Sequence, residues 1–168
     1  MFSLMAARRL RGTGLVFGLA LSLIFGLAAA PAAADLPAGG ATGSEVAALL
    51  RDLGYTTDIT TDKDGSPLIH TTMAATKIDV YFYNCASSRC TSIQFVAGFA
   101  ISGVTLSTIN TWDKDKRYGR AYISTEGYPF MEVDVDISNG ATMSEIRAYI
   151  RHVEALVPDF KTAIGYKG

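Results

Sequence analysis

The stretch from Lys77 to Phe99 constrains the fold of this chain more than any other. Two runs rich in β-branched and aromatic residues flank the short polar segment 86–89, a pattern typical of a β-hairpin. In the first run apolar residues alternate with polar or amphipathic ones: Ile78, Val80 and Phe82 with Asp79, Tyr81 and Tyr83. Because successive strand side chains point to opposite faces, this pattern predicts one buried face and one amphipathic face.

The only two cysteines of the chain, Cys85 and Cys90, flank the turn of this hairpin. An even number of cysteines favours a disulfide in an exported chain, and the N-terminal segment described next predicts export. Strand ends beside a short turn also lie close enough to be bridged. The alternative is a redox-active pair. Catalytic thiols usually form C-x-x-C at a helix N-terminus, whereas this C-x4-C lies on a hairpin. We therefore interpret the pair as a structural disulfide.

The N-terminal segment 1–34 has the layout of a secretory signal peptide. Three arginines, at positions 8, 9 and 11, precede an uncharged apolar run of 16 residues, Leu15 to Ala30, and Ala34 completes a small-residue cleavage site. An uncleaved membrane anchor is the alternative, but 16 residues are short for a span of about 20. The pattern predicts export to the periplasm, cleavage before Asp35, and no stable membrane insertion afterwards.

Removing this segment makes the chain acidic. All 16 acidic residues remain while three arginines are lost, so the formal net charge falls from −1 to about −4. Nucleic-acid affinity comes largely from Lys and Arg neutralising phosphates. The composition therefore disfavours DNA or RNA as a partner.

The remaining sequence predicts a flexible leader over residues 35–43 and a single domain over residues 44–168. Capping boxes at Thr42/Glu45 and Thr142/Glu145 start the first and last helices, and Pro158 is expected to stop the last one. The expected boundaries of the other elements are strands at 55–61, 68–73, 118–124 and 128–137 and a helix at 106–114. The order α-β-β-β-β-α-β-β-α, with short turns, predicts an α+β domain: an antiparallel sheet of about six strands with helices packed on one face.

The segment Asp62-Lys63-Asp64-Gly65 raises the question of a calcium site. An EF-hand loop needs a ligand at its fifth position and a glutamate at its twelfth, where this chain has Ser66 and Met73. An Asp-Gly hairpin turn fits better. No other metal or cofactor motif is evident, and no cofactor is expected.

Three carboxylates alternate along the last strand, at Glu132, Asp134 and Asp136. Strand alternation predicts that they share the solvent face, outside the core. They could hold a cation or act as an acid–base pair, or they could form a solvated face with cross-strand pairs. Tyrosines interleaved with charges also suit a protein-binding surface. The candidate binding face consists of Asp79, Tyr81, Tyr83, Arg120, Tyr122, Glu132, Asp134 and Asp136.

Several of these segments together resemble the YbjN-domain family, a bacterial family associated with sensory transduction. The resemblance covers about Val46 to Val157 and is carried by the segments 80–85, 92–95, 109–112, 117–122 and 132–136. It implies a fold similar to type III secretion chaperones, which dimerise and bind partner proteins. A homodimer and an unidentified protein partner are therefore expected, and no catalytic residues carry over.

The sequence patterns and the family resemblance together predict an exported, non-enzymatic protein-interaction module. It would be an adaptor or chaperone-like protein with a role in stress or envelope regulation. A thiol–disulfide protein using Cys85 and Cys90 is one alternative. A small-ligand or cation sensor on the acidic sheet face is another. The absence of a G-x-S-x-G, H-E-x-x-H or phosphate-loop motif favours the first.

Overall fold

A computed structural model describes residues 35–168 of the chain. The predicted signal peptide, residues 1–34, lies outside the described residues. Within the described part, none of the helices is both long and apolar enough to cross a membrane.

The described residues form three helices and six strands in the predicted order. The elements are α1 Gly43–Asp52, β1 Asp58–Thr61, β2 Pro67–Met73, β3 Thr76–Ala86, β4 Arg89–Gly98, α2 Leu106–Asp115, β5 Arg120–Ile123, β6 Pro129–Asp136 and α3 Met143–Ile164. The strands make one antiparallel sheet in the order β1-β2-β3-β4-β6-β5. The prediction of an α+β fold with a six-stranded antiparallel sheet is confirmed.

The core lies between one face of the sheet and the helices. The central strands bury their alternate apolar residues, and the helices bury theirs in the same cluster. The largest fully buried side chains come from both layers: Phe82, Phe95, Ile93 and Met131 from the sheet, and Leu49, Leu50, Ile146 and Phe160 from the helices. None of the three helices within residues 35–168 covers the opposite face of the sheet.

Local sequence signals set most helix ends. Both predicted capping boxes form, with Thr42 accepting a hydrogen bond from the N–H of Glu45 and Thr142 from that of Glu145. Gly54 follows the end of α1 with φ +95°, a left-handed conformation that glycine adopts without steric cost.

The prediction that Pro158 stops the last helix is wrong. α3 continues to Ile164, and Gly165 ends it in the left-handed conformation. A proline in a helix interior costs about 3 kcal/mol. Phe160 (0% exposed) and Ile164 (7% exposed), which both follow the proline, are buried. Burying one such side chain stabilises the fold by about 1.5–3 kcal/mol. Tertiary packing therefore outweighs the local break.

The structure also differs from the expected flexible leader over residues 35–43. Leu36 and Ala41 are buried, and their backbones pair with Ala141 and Cys90 respectively. The Pro/Gly/Ala-rich composition indicated flexibility because it has little side-chain bulk. That same lack of bulk lets the segment lie flat against the domain.

One buried hydroxyl has no hydrogen-bond partner within the described part of the chain, that of Thr71 on β2. Thr71→Val should raise the free energy of unfolding by about 1 kcal/mol, because it removes an unsatisfied buried polar group at nearly constant shape. Urea unfolding would measure the change. Thr72→Val, at the exposed neighbouring position, is the control and should shift stability by less than about 0.5 kcal/mol. A loss of stability in Thr71→Val would mean that the hydroxyl has a partner in solution.

Candidate functional site

The uncovered face of the sheet gathers the residues that sequence alternation assigned to it. Tyr81 on β3 lies opposite Gln94 on β4, which in turn lies opposite Asp134 on β6. On the far edge, Arg120 of β5 lies opposite Glu132. The predicted face residues thus come from three strands, β3, β5 and β6, with β4 between them. We call this surface the open face.

Gln94 is the centre of a hydrogen-bonded network on the open face. The Tyr83 hydroxyl donates to its Oε1 (3.0 Å), and its Nε2 donates to Asp134 (2.7 Å) and Glu132 (3.2 Å). Gln94 is only 5% exposed. A buried amide with all these partners is held in one orientation, so it fixes the positions of the side chains around it.

Arg120 closes the network from the edge strand. Its guanidinium pairs with Glu132 and lies 3.4 Å from Asp134 Oδ2 through Nε. Its own side chain is mostly exposed. The two carboxylates therefore share one cation, and the trio carries a net charge of −1.

The structure corrects the expected position of Glu132. We expected all three carboxylates on the solvent side, but Glu132 is 5% exposed although it lies outside the main core. Gln94, Arg120 and Tyr122 contact its carboxylate. Alternation predicted its face correctly, but side chains on that same face cover it.

Asp136 takes no part in this network. It is exposed and accepts a hydrogen bond from the N–H of Ser138 (2.8 Å), which lowers its pKa. Alternate residues of a strand lie nearly 7 Å apart along it, and Glu132 and Asp134 already have partners. Among residues 35–168, no group of three or more His, Cys, Asp or Glu side chains is placed to hold a metal ion.

The Asp62–Gly65 segment is a turn between β1 and β2. One carboxylate oxygen of Asp62 accepts hydrogen bonds from the N–H groups of Asp64 and Ser66, each at 2.9 Å. Gly65 has φ +82°. The Asp62 carboxylate, which would be the first ligand of a calcium loop, is therefore hydrogen-bonded to backbone N–H groups of its own turn.

Aromatic rings border the network at the β5–β6 edge. Tyr122 stacks on Phe130, with ring centroids 5.4 Å apart. The Phe130 ring lies across Gly98, where an added Cβ would come within 2.5 Å of it. Burial and the neighbouring Glu132 carboxylate raise the pKa of Tyr122 to about 12. The hydroxyl of Tyr122 therefore stays protonated and can donate at physiological pH.

A histidine–aspartate pair lies at the other end of the open face, and its histidine is not among the predicted face residues. His70 Nδ1 lies 2.6 Å from Asp79 Oδ1, across the β2–β3 pairing. No sequence motif links His70 to Asp79, because the two residues are nine positions apart. The predicted hairpin register, with residues directly opposite each other, is the signal that could have identified the pair.

Two tyrosines lie between the two polar ends. Tyr81 and Tyr83, with Leu68, line one side of a depression of about 590 Å³, and the polar residues 61–64 of the β1–β2 turn line the other. Tyr83 is 44% exposed. The open face therefore combines exposed aromatic area with fixed charges, the composition found at protein interfaces.

A second depression lies on the opposite side of the domain, between α2 and α3. It measures about 490 Å³ and is lined by Trp112, Lys116 and Asp159 among others. Trp112 Nε1 and Lys116 Nζ both donate to Asp159, at 2.8 and 2.9 Å. The Lys116 hydrogen bond lowers the Asp159 pKa. These polar groups satisfy one another and join the helices, which agrees with a packing role for Trp112.

The cysteines lie at the end of the β3–β4 hairpin. Cys85 and Cys90 are directly opposite each other and are bonded, with an S–S distance of 2.13 Å. Cys85 is exposed and Cys90 is buried. Catalytic thiols of low pKa are usually found at a helix N-terminus, whereas this pair lies in a strand hairpin.

The raised tyrosine pKa values predict a loss of stability in alkali. Burial and Glu154 raise the pKa of Tyr55 to about 12, as burial and Glu132 do for Tyr122. An unfolded tyrosine ionises near pH 10, so the unfolded state binds fewer protons between about pH 10 and 12. The free energy of unfolding should therefore fall as the pH rises through this window.

Urea titrations at pH 9, 10 and 11 would measure this fall, and absorbance at 295 nm would follow ionisation. Tyr55→Phe with Tyr122→Phe should show a shallower fall than the unmodified chain. Equal slopes in the two proteins would contradict the assignment.

The fold and the open face together define a class of protein. It is an α+β domain whose six-stranded antiparallel sheet is covered by helices on one side and carries an ordered polar and aromatic surface on the other. A family model described as YbjN, "Putative bacterial sensory transduction regulator", matches residues 42–165. The chain belongs to the YbjN family.

One solved structure resembles the chain at low sequence identity. It is described as "Crystal structure of YbjN, a putative transcription regulator from E. coli", and it is 10% identical with a TM-score of 0.49. The alignment covers 71% of this chain and 90% of that one. Among curated proteins, no sequence relative matches.

Proposed function

We propose that this protein is a regulatory adaptor that binds a partner protein through the open face of its sheet, without a catalytic step of its own. The observation that carries the proposal is the ordered network around Gln94 on the sheet face that none of the described helices covers. Membership of a family described as sensory transduction regulators supports the regulatory part.

The order of the network supports binding on energetic grounds. Immobilising a flexible side chain at an interface costs about 0.5–1.5 kcal/mol. Tyr83, Gln94 and Arg120 already have fixed partners in the free protein. Tyrosine and arginine also dominate the residues that contribute most to interface affinity. A partner would therefore meet a surface that needs little further ordering.

The charge of the open face indicates what kind of partner it would bind. Its carboxylates are Asp58, Asp79, Glu132, Asp134 and Asp136, and its basic side chains are Lys77, Arg120 and His70, so five carboxylates stand against two fixed cations and one histidine. The partner surface should therefore carry excess Lys or Arg. Because exposed charges are screened by salt, association should slow as ionic strength rises.

Site-specific photo-crosslinking tests this proposal. A photoreactive phenylalanine would replace Tyr83 on the open face or, as a control, Tyr118 on the helix side. Tyr118 is more exposed than Tyr83 (64% against 44%) and stacks on His152 of α3. In the native host, the photoreactive residue at position 83 should cross-link to one discrete protein, and the one at position 118 should not. Cross-linking from Tyr118 alone, or equally from both positions, would argue against the open face.

We also propose that the protein acts after export, in the periplasm. The arginine-rich start, apolar run and small residues before Asp35 support this, as does the cysteine pair at disulfide distance. Mass spectrometry of the protein from an envelope fraction should find Asp35 as its first residue. An intact Met1 in the membrane fraction would support the anchored alternative instead.

A further inference from the structure

Residues 35–41 form a segment with a turn at its centre, the N-terminal strap, that is bonded to the domain at both ends. At its start, the Asp35 carboxylate accepts from the N–H of Met143 in the first turn of α3 (2.7 Å). Leu36 and Ala141 exchange two backbone hydrogen bonds, at 2.8 and 3.0 Å. Gly39 N–H donates to the carbonyl of Ser138 (2.8 Å).

The other end of the strap is fastened to the disulfide-bearing end of the β3–β4 hairpin. Ala41 and Cys90 exchange two backbone hydrogen bonds, both at 2.9 Å. The Arg89 guanidinium donates twice to the carbonyl of Gly40, at 3.1 and 2.6 Å, and pairs with Glu45 of α1 at 3.0 Å. Cys90 is therefore bonded to the strap through its backbone and to Cys85 through its sulfur.

The fit at this end leaves no room for a side chain at position 40. A Cβ on Gly40 would lie 2.3 Å from the carbonyl oxygen of Cys90, and Gly40 has φ +92°. Only a glycine can approach the hairpin backbone so closely. A small displacement of Cys90 or Arg89 would therefore break several strap contacts together.

The hairpin end is itself held in an unfavourable backbone conformation. Asn84, Ser87 and Ser88 all have positive φ, at 54°, 51° and 71°. Two consecutive residues of this kind suit Asn-Gly turns, and serine adopts such angles at a cost. The disulfide closes the chain across this turn, so it opposes relaxation of the strained residues.

We propose that the Cys85–Cys90 disulfide is a thiol-controlled latch for the N-terminal strap: reduction by a dithiol lets the hairpin end relax and frees the Gly40–Ala41 end of the strap from the hairpin. The contacts of Gly40 and Ala41 with the hairpin and the strained turn meet at Cys90, whereas Leu36 and Gly39 are bonded to Ala141 and Ser138. The proposal is independent of what binds the open face.

The chemistry needs a dithiol reductant, either a small molecule or a dithiol protein. Its thiolate attacks Sγ of Cys85, the exposed sulfur, and the S–S bond breaks with Cys90 leaving as a thiolate that takes up a proton. The second thiol of the reductant then attacks the mixed disulfide and releases the Cys85 thiol. Two electrons and two protons pass to the cysteine pair, and the reductant becomes a disulfide.

Hydrogen–deuterium exchange of the protein isolated from its host tests this, with dithiothreitol as the reductant and thiol alkylation to verify reduction. The amides of Ala41 and Cys90, which bond the strap to the hairpin, should exchange at least about tenfold faster after reduction. Those of β6, such as Val133, should be unchanged. Cys85→Ser with Cys90→Ser should behave like the reduced protein.

A disulfide-intact variant separates the latch from general destabilisation. Arg89→Gln removes the pair with Glu45 and weakens the contact with Gly40, so it should speed strap exchange with the disulfide still closed. Arg51→Gln, on the exposed side of α1, is the matched control and should leave the strap protected. Unchanged strap exchange in fully reduced protein would overturn the proposal. Equal acceleration throughout the sheet would also overturn it, since that would indicate global unfolding.

Discussion

Glu132→Ala should lower the free energy of unfolding by about 2–3 kcal/mol, although Glu132 lies on the face of the sheet without a helical cover. Its carboxylate is buried, accepts from Gln94 and pairs with Arg120. Removing it leaves a buried amide N–H without that acceptor, and such a loss costs about 1–3 kcal/mol. The cavity left by the side chain adds to the loss. Urea or thermal unfolding would measure it.

Two variants separate the contributions to this effect. Glu132→Gln keeps the volume and an acceptor but removes the charge that Arg120 pairs with, so its loss should be smaller than that of alanine. Asp136→Asn changes an exposed carboxylate outside the network and should leave the melting temperature almost unaltered. If Glu132→Ala has the same melting temperature as Asp136→Asn, the network is not formed in solution.

Phe160→Ala should destabilise the domain by about 3–5 kcal/mol, the usual cost of truncating a fully buried phenylalanine. Phe160 is 0% exposed and packs edge-to-face on Trp112 and Phe99, with centroids 4.9 and 5.6 Å away. It therefore joins α3 to α2 and to the segment after β4. Chemical denaturation followed by tryptophan fluorescence would report both stability and the Trp112 environment.

Leu106→Ala is the matched control, since it truncates a side chain that is 67% exposed on α2. Its effect should stay within about 0.5 kcal/mol. Pro158→Ala should raise stability, because it restores a helical N–H two residues before Phe160. A small effect of Phe160→Ala would show that α3 ends at Pro158 after all.

The element order could be predicted because the signals that define it are local. Alternation between Ile78 and Tyr83 is a property of consecutive residues, and the capping boxes at Thr42 and Thr142 span only four residues each. Such patterns need no knowledge of the rest of the chain. The same holds for the cysteine pair, since the hairpin register places Cys85 opposite Cys90.

The candidate site could be predicted only as a face. Alternation assigned Tyr83, Arg120 and Glu132 to the same side of the sheet, and the register confirms that assignment. It could not predict that Gln94 would connect them, because hydrogen bonding depends on which strands become neighbours. The β4–β6 pairing that brings Gln94 beside Asp134 joins segments 40 residues apart.

The sequence by itself determined the alternation of faces, the helix starts and the hairpin that carries the cysteines, because each depends on backbone preferences and side-chain spacing within a few residues. Only the tertiary structure decided that Glu132 is buried, that α3 passes through Pro158, and that Leu36 and Ala41 pair with Ala141 and Cys90. In each of these cases a local preference for exposure, termination or flexibility lost to contacts from distant segments. Those contacts are each worth about 1–3 kcal/mol, which is enough to outweigh local preferences of similar size.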